Sequence, residues 1–151
     1  MSIEETNKPL LIKGNNHIDK RGKLSFVNNF SMEKIKRFYT IAHPSTEIVR
    51  AWQGHKYQSR SFHVISGCFW IACVRIDNWE KPSQQLEVEI YQLKSDEPSV
   101  LHIPRGYANG VKAKAKESIL ISFSDNSYEN LQAGDEYRYD SEMWLNWNDL
   151  N

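Results

Sequence analysis

The densest group of chemically capable side chains lies in residues 50–60, which hold one imidazole, three cationic groups and two aromatic rings. In a β-strand Gln53 and His55 would share one face, because alternate residues point the same way. Arg60 opens the apolar strand that follows. Positive neighbours keep an imidazole neutral, and a neutral histidine can act as a general base. The alternative interpretation is an exposed polar loop with one ordinary histidine.

The composition indicates one domain and excludes several classes of protein. The chain has 151 residues, with 19 Lys and Arg against 19 Asp and Glu, and its formal net charge is zero. This length is typical of one compact domain, so residues 1–151 are predicted to form a single domain. The balanced charge argues against binding to nucleic acid or anionic lipid by bulk attraction, but it leaves room for a local basic pocket.

Location is predicted from two further features. No run approaches the roughly 18 apolar residues of a membrane helix, and the polar start at residues 1–8 does not resemble a secretory signal. Cys68 and Cys73 are an odd number of residues apart, so in one strand they would face opposite sides and could not form a disulfide. Reduced thiols in a chain without a signal predict a cytoplasmic protein that has no membrane partner.

Short apolar or alternating runs separated by turn residues dominate the chain and predict an all-β domain of about nine to eleven strands. The two runs on either side of Gly67 are predicted to form a hairpin. Alternation places Glu87 and Glu89 on the outer face of their strand. Short helix is predicted only for 31–36 and 141–150. The clearest predicted strands are 24–27, 38–42, 47–52, 61–66, 68–76, 86–91, 99–103, 110–116 and 118–123.

The spacing of several polar residues resembles the two cupin motifs. Gln53, His55, Arg60 and Gly67 stand at the spacing of the first motif, and Asn109 stands at the ligand position of the second. The resemblance implies a cupin-type double-stranded β-helix (a jelly roll) with short N-terminal strands and a short C-terminal helix. Metal cupins have three histidines and a glutamate at the four ligand positions. One imidazole, two amides and a guanidinium cannot hold a transition metal, so no metal and no cofactor are predicted.

Among metal-free cupins, the chain resembles the dTDP-4-dehydrorhamnose 3,5-epimerases and the dTDP-4-keto-6-deoxyhexose 3,4-ketoisomerases. The similar segments are 19–24, 49–55, 103–110 and 142–149, and the resemblance extends over about residues 15–149. It implies a nucleotide-diphosphate sugar as ligand and a homodimer that exchanges N-terminal strands.

The departures from these families favour the ketoisomerase pattern. The epimerases' base histidine falls on Gln53, their acid tyrosine falls near Ser122, and Asn109 replaces the histidine of the second motif. The second histidine of the ketoisomerases' His-x-His is retained as His55.

The resemblance also implies roles for individual residues. His55 is the predicted base, and Tyr39, expected on a neighbouring strand, is the predicted acid or oxyanion donor, with Tyr107 as its competitor. Trp52 is a candidate for stacking on the thymine. The predicted substrate-binding residues are Gln53, Asn109 and Tyr107 for the sugar, Arg50, Lys56 and Arg60 for the diphosphate, and Arg21 for the phosphates of a neighbouring subunit.

The predicted function is therefore isomerisation or epimerisation of a dTDP-linked 4-keto-6-deoxyhexose through an enediol or enolate, in the synthesis of surface-polysaccharide sugars. The competing prediction is a non-catalytic cupin that binds a nucleotide sugar or sugar and has lost the epimerases' catalytic residues.

Overall fold

The computed structural model describes residues 6–127 and 135–150, which form twelve β-strands and one short 3-10 helix. The predicted all-β fold is confirmed. The strands are β1 Leu10–Lys13, β2 Asn15–Asp19, β3 Gly22–Phe26, β4 Arg37–His43, β5 Val49–His55, β6 Arg60–Ser66, β7 Cys68–Arg75, β8 Val88–Lys94, β9 Ser99–Ile103, β10 Tyr107–Ala113, β11 Ser118–Ser124 and β12 Glu136–Arg138.

Two five-stranded antiparallel sheets face each other. Sheet 1 has the order β1-β9-β6-β11-β4, and sheet 2 has the order β12-β5-β10-β7-β8. The strands β2 and β3 pair only with each other and form a separate hairpin. Two facing sheets whose strands connect mostly across the sandwich form a jelly roll, so the predicted architecture is also confirmed.

The predicted hairpin around Gly67 is wrong. The strand β6 belongs to sheet 1 and β7 to sheet 2, so the chain crosses from one sheet to the other at this glycine. Gly67 has φ +76°, and a Cβ atom there would collide with Ser118 Oγ. A tight link between two strands looks the same in sequence whether the strands pair or change sheets, because both need a glycine.

The two predicted helices are also corrected. Residues 31–36 form a turn, in which Ile35 N donates to Met32 O at 3.0 Å. Within 141–150 only Trp147–Asp149 is helical, as a single 3-10 turn capped by Asn146. Segments this short cannot offset the cost of nucleating an α-helix.

Apolar side chains fill two layers of the molecule. Between the sheets lies a cluster that includes Phe62, Phe69, Leu101 and Leu120. A second cluster covers the outer face of sheet 2, where the C-terminal segment lays Trp147 against Trp52 at a ring distance of 5.5 Å. Trp52 is only 1% exposed and is packed in this outer layer, which leaves its ring no free face for the predicted thymine stacking.

The two cysteines are free thiols, as predicted. Cys73 belongs to the cluster between the sheets, whereas Cys68 lies at odd spacing from it and so faces the other side of β7. Burial raises the pKa of both thiols. Within residues 6–127 and 135–150 no helix has the length and apolar character needed to cross a membrane.

Candidate active site

Sheet 1 is polar on its inner face at one end. Ser124 pairs in register with Arg37 on one side and Arg60 on the other, and the next inward row places Tyr39 beside Ser122. These side chains lie on the same face of their strands as the apolar residues that fill the interior farther along. The sheet therefore presents two guanidinium groups, a phenol and two hydroxyls to the interior.

Sheet 2 is polar at the same end. The strand β12 pairs with β5 so that Glu136 lies opposite His55 and Arg138 lies opposite Gln53. On the other side of β5, Asn109 lies opposite Gln53. We call the inward-facing residues of these rows the polar end of the sandwich. They are Arg37, Tyr39, Gln53, His55, Arg60, Tyr107, Asn109, Ser122, Ser124, Glu136 and Arg138.

The centre of the polar end is a direct contact between the last residue of β5 and the first of β6. Arg60 Nε donates to His55 Nε2 at 3.3 Å, and the two residues are only 2% and 3% exposed. Because Nε2 accepts this bond, the neutral ring carries its proton on Nδ1. That Nδ1 is buried and has no partner among the described residues.

His55 is held in its neutral form. Burial lowers its pKa from 6.5 to about 3, and nearby positive charge adds to the effect. The contributing guanidinium groups are, in decreasing order, those of Arg60, Arg37 and Arg138. Three cations around one uncharged ring form a site that attracts an anion.

Tyr39 lies between two of these cations. The Arg60 guanidinium carbon is 5.3 Å from the centre of its ring, and that of Arg37 is 5.9 Å away. The tyrosine was expected on a strand next to β5, but β4 is the edge of the facing sheet. Tyr39 therefore reaches the polar end from sheet 1, which faces β5, and its ring lies beside the Arg60 guanidinium.

Tyr107 is the tyrosine directly across the strands from His55, on β10. It is 6% exposed, and burial raises its pKa, with a smaller contribution from Glu89. Asn109 is 8% exposed beside Gln53, whose amide donates to Glu136 Oε1 at 3.3 Å.

Three of the polar atoms buried at this end have no hydrogen-bond partner among the described residues: His55 Nδ1, Arg60 Nη1 and Ser122 Oγ. Buried polar groups are nearly always satisfied in folded proteins, by protein atoms, ordered water or a ligand. Three such atoms lie in adjacent rows here, which makes this end a candidate site for a polar ligand.

The other predicted site residues lie farther away or point elsewhere. Arg50 is exposed and lies five residues before His55 on β5, which in an extended strand is roughly 16 Å. Its charge acts on His43, at the opposite end of the sandwich. Lys56 follows His55 directly, with its ammonium 5.6 Å from the centre of the Tyr57 ring.

Arg21 lies at the tip of the β2–β3 hairpin. Its side chain is 82% exposed and forms an ion pair with Asp19, with Nη2 2.7 Å from Oδ2. The hydrogen bonds from Arg21 lower the pKa of that carboxyl. Within one chain, the hydrogen bonds of the Arg21 side chain go to Asp19 and not to His55 or Arg60.

The sequence prediction missed two of the three arginines around His55. Arg37 precedes the predicted strand at 38–42, and Arg138 lies on β12, a strand that was not predicted. The alternation of polar and aromatic residues in Glu136–Tyr139 was the available signal, because Tyr137 and Tyr139 pack outward against Trp79 and Trp144.

Glu89 was also misplaced by the sequence prediction. It was expected on an outer face, but it shares the parity of Tyr91, which packs against the interior cluster. The Glu89 carboxylate accepts from Tyr91 Oη at 3.1 Å and from Cys73 Sγ at 3.9 Å. Alternation alone does not say which of the two faces of a strand is inside.

The residues at the four cupin ligand positions do not fit a transition metal. The one imidazole uses its Nε2 lone pair to accept from Arg60, and a guanidinium offers no lone pair. Within the described part of the chain, no three His, Cys, Asp or Glu side chains come together as a metal site would need.

A cavity of about 1000 Å³ lies on the outer side of sheet 1, behind Arg60. His102 on its wall is 5% exposed, and its Nδ1 is 3.0 Å from Ser61 Oγ. The cavity has neither His55 nor the three arginines in its lining, so we place the candidate chemistry at the polar end instead.

Comparison with known proteins places the chain in a family. The family described as "FdtA: WxcM-like, C-terminal" matches residues 7–148, nearly the whole chain. The chain belongs to this family. No curated protein sequence matches it.

Solved structures of sugar-modifying enzymes share the fold. A histidine-to-asparagine mutant of the 3,4-ketoisomerase QdtA from Thermoanaerobacterium thermosaccharolyticum, in complex with TDP-4-keto-6-deoxyglucose, is 21% identical over 89% of each chain, with a TM-score of 0.69. A dTDP sugar isomerase from Desulfovibrio desulfuricans G20 is 17% identical, with 95% of this chain and 92% of that one covered and a TM-score of 0.75.

A third similar structure is the dTDP-4-dehydrorhamnose 3,5-epimerase from Bacillus anthracis, solved with TDP and pyrophosphate. It is 18% identical, with 97% of this chain and 89% of that one covered and a TM-score of 0.73. At these identities the likeness establishes the fold, which is a cupin of the kind found in dTDP-sugar ketoisomerases and epimerases.

Proposed function

We propose that the protein isomerises a dTDP-linked 4-keto-6-deoxyhexose, moving the ketone between C4 and C3. The observation that carries the proposal is the buried, neutral His55 bonded to Arg60 inside a ring of arginines. A nucleotide-diphosphate-linked 4-keto sugar has both groups that such a site needs, a dianion for the guanidinium groups and a C–H made acidic by the ketone.

The proposed reaction is a proton transfer in two stages. His55 Nε2 takes the proton from C3, and the ketone oxygen at C4 becomes the hydroxyl of an enediol. The phenol that donated a proton to the C4 oxygen then takes the proton of the C3 hydroxyl, and His55 returns its proton to C4, so that the oxygen on C3 becomes the ketone. The base must come within about 3 Å of the C–H, and a donor must stabilise the developing oxyanion. Tyr39 and Tyr107 are the two phenols of the polar end that can supply that donor.

The diphosphate is proposed to prepare His55 for this role. Arg60 Nε donates to the lone pair of His55 Nε2. A diphosphate that draws the Arg60 guanidinium to itself frees that lone pair. It also adds negative charge, which favours the imidazolium and raises the pKa of His55. The base thus becomes stronger when the substrate is bound.

A proton-exchange experiment tests the activity. The protein is incubated with dTDP-4-keto-6-deoxyglucose in deuterated buffer and followed by NMR. We expect a 3-keto product that carries solvent deuterium at C4. Deuterium at both C3 and C5 with a changed ring configuration would instead assign a 3,5-epimerase. Tight binding with no exchange at any carbon would overturn the proposed activity.

A binding module is the second candidate function, because Arg60 engages the lone pair of the proposed base and the pKa of His55 lies near 3. Such a protein would hold the nucleotide sugar without changing it. The same NMR samples decide between the two, since this candidate predicts ligand line-broadening with unchanged ligand signals over time.

We also propose that the protein is a homodimer in which Arg21 reaches the phosphates bound by its partner. The support is an exposed apolar surface on the β2–β3 hairpin, where Ile18 is 72% and Leu24 61% exposed. Sedimentation of the protein should give twice the monomer mass, and Ile18→Asp with Leu24→Asp should give monomers. The control Ile90→Asp, on β8, should remain dimeric.

The proposed cellular role is to supply deoxysugars for surface polysaccharide from the cytoplasm. Free thiols at Cys68 and Cys73 are the support for that location. Fractionation of cells that express the tagged protein tests it, and recovery from the membrane or the medium would contradict it.

A further inference from the structure

The loop at residues 56–59, which joins His55 to Arg60, is held by two carboxylates from distant parts of the chain. Asp125 follows β11, and Asp135 precedes β12. Both carboxylates accept hydrogen bonds from this loop. The loop decides how the imidazole at its start and the guanidinium at its end face each other, so whatever fixes the loop also fixes the polar end.

Asp135 makes the more buried of the two attachments. It is 1% exposed, its Oδ1 accepts from Tyr57 N at 2.6 Å, and its Oδ2 accepts from Gln58 Nε2 at 2.6 Å. Hydrogen bonds to a carboxylate are shorter and stronger than neutral ones. Without such partners, a buried carboxylate would be far higher in free energy than one exposed to water.

A further hydrogen bond links Gln58 to β11, the strand of sheet 1 that carries Ser124 at the polar end. Gln58 is fully buried, and its Oε1 accepts from Ser124 Oγ at 2.8 Å. Ser124 is the residue that pairs in register with both Arg37 and Arg60. An unbroken chain of hydrogen bonds therefore runs from Asp135 through Gln58 to the row that carries two of the arginines.

Asp125 holds the other end of the loop. Its Oδ1 accepts from Ser59 N at 3.0 Å and its Oδ2 from Ser59 Oγ at 2.7 Å, directly before Arg60. This contact is only half-buried. Asp135 is also close enough to act on Arg60 by charge, because its carboxylate opposes the lowering of the Arg60 pKa that burial causes.

We propose that Asp135 is a positioning residue that, through Gln58 and the Tyr57 amide, fixes the geometry of the His55–Arg60 pair. Its catalytic consequence rests on the proposed function, whereas its effect on the imidazole does not. A displacement of about 1 Å in a catalytic group can lower a rate by about 100-fold. A buried carboxylate that ties the loop to the wall prevents such a displacement.

Two substitutions separate the hydrogen bonds from the charge. Asp135→Ala removes both acceptors and leaves the Tyr57 amide and Gln58 without partners. Asp135→Asn keeps an acceptor for the Tyr57 amide, and its NH₂ group can donate to Gln58 once the Gln58 amide flips. Ser124 can accept as well as donate, so the flipped arrangement stays satisfied. The matched control is Asp140→Ala, at an exposed aspartate.

We expect Asp135→Ala to lower kcat by about 100-fold with KM changed only a few-fold. We also expect it to raise the pKa of His55 from about 3 toward 6.5, because a loosened loop admits water to the ring. Asp135→Asn should retain most of the wild-type rate and the low pKa. NMR of histidine-labelled protein measures the pKa, and His55→Gln assigns the signal.

A folded Asp135→Ala variant with wild-type kcat and an unchanged His55 pKa would overturn the proposal, and so would a loss of thermal stability without either change. If Asp135→Ala does not fold, Ser124→Ala replaces it and should shift the pKa in the same direction by less; no shift there overturns the proposal. Failure of the proposed function shows separately, as a wild-type protein that catalyses no exchange, and the pKa comparison still decides the role of Asp135.

Discussion

Two histidines are buried between the same two sheets, and their surroundings differ. His55 lies at the polar end, where Arg60 donates to its ring and two more arginines lie near. His43 lies at the opposite end, 2% exposed, with its ring 5.4 Å from that of Phe69. Neither His43 nitrogen has a partner among the described residues. Burial lowers the pKa of both.

The two histidines differ in the number of cationic groups near the ring. His43 has one cation near it, the exposed Arg50, and an aromatic wall. His55 has three guanidinium groups that a dianion can engage. A depressed pKa alone therefore does not distinguish a catalytic histidine from a packed one. The guanidinium groups around the ring are the reason why His55, and not His43, is the proposed base.

The largest difference between the two histidines is expected when each ring is removed in turn. His55→Ala should lower the rate of solvent exchange by about 10²- to 10⁴-fold, the usual contribution of a general base, while dTDP binding stays within a few-fold. His43→Ala should leave the exchange rate within a few-fold and lower the unfolding temperature, because it leaves a cavity beside Phe69. NMR exchange rates and thermal unfolding measure both. Equal loss of activity in the two variants would remove the distinction.

Removing the donor to His55 should weaken ligand binding next most. Arg60→Gln deletes a buried cation, and loss of a charge-assisted hydrogen bond should weaken dTDP binding by about 10- to 100-fold. The pKa of His55 should rise, because one of the cations that lower it is gone. Calorimetry and NMR titration measure the two effects. The control Arg105→Gln, at an exposed loop, should change neither; unchanged affinity in Arg60→Gln would contradict the site.

Both histidines should make the protein sensitive to acid. Their pKa values are lower in the folded than in the unfolded chain, so the unfolded chain binds more protons below pH 6.5. For His55 the loss of stability should extend from pH 6.5 down to about 3. His55 should cost about 1.4 kcal/mol of unfolding free energy per pH unit in that window, and His43 adds to the loss below pH 6.5. Urea unfolding between pH 7 and 4.5 measures it, and His43→Phe should make the slope shallower.

The smallest effect should appear when dTDP binds. The diphosphate adds negative charge among the three arginines, so the pKa of His55 should rise by about one unit or more, while that of His43 stays unchanged. NMR titration with and without dTDP measures both rings in one sample. A shift of equal size in both histidines would indicate a global change instead of binding at the polar end.

Much of the fold follows from local patterns. Residues that alternate or stay apolar over five to eight positions predicted most of the strands, because a two-residue period leaves few alternatives. The link at Gly67 was misassigned because a glycine suits both a hairpin and a crossing between sheets. The strand β12 has only three residues and derives its order from pairing with β5, which a local pattern does not reveal.

The residues of the candidate site likewise fall into those that local spacing could predict and those that it could not. Gln53 and His55 could be placed on one face from their spacing, and Arg60 could be placed beside them because one short loop joins them. Arg50 was grouped with them because it is close in sequence, but an extended strand carries it to the other end. Arg37 and Arg138 were missed because only pairing between distant strands brings them to His55.

The position of β12 has a consequence for the order in which the protein folds. The jelly-roll strands up to β11 are all synthesised before residue 135, so they can begin to pair while the rest of the chain is still being made. Asp135, Glu136 and Arg138 join the wall beside His55 only afterwards. The polar end is therefore the last part of the sandwich that can be completed as the chain is made.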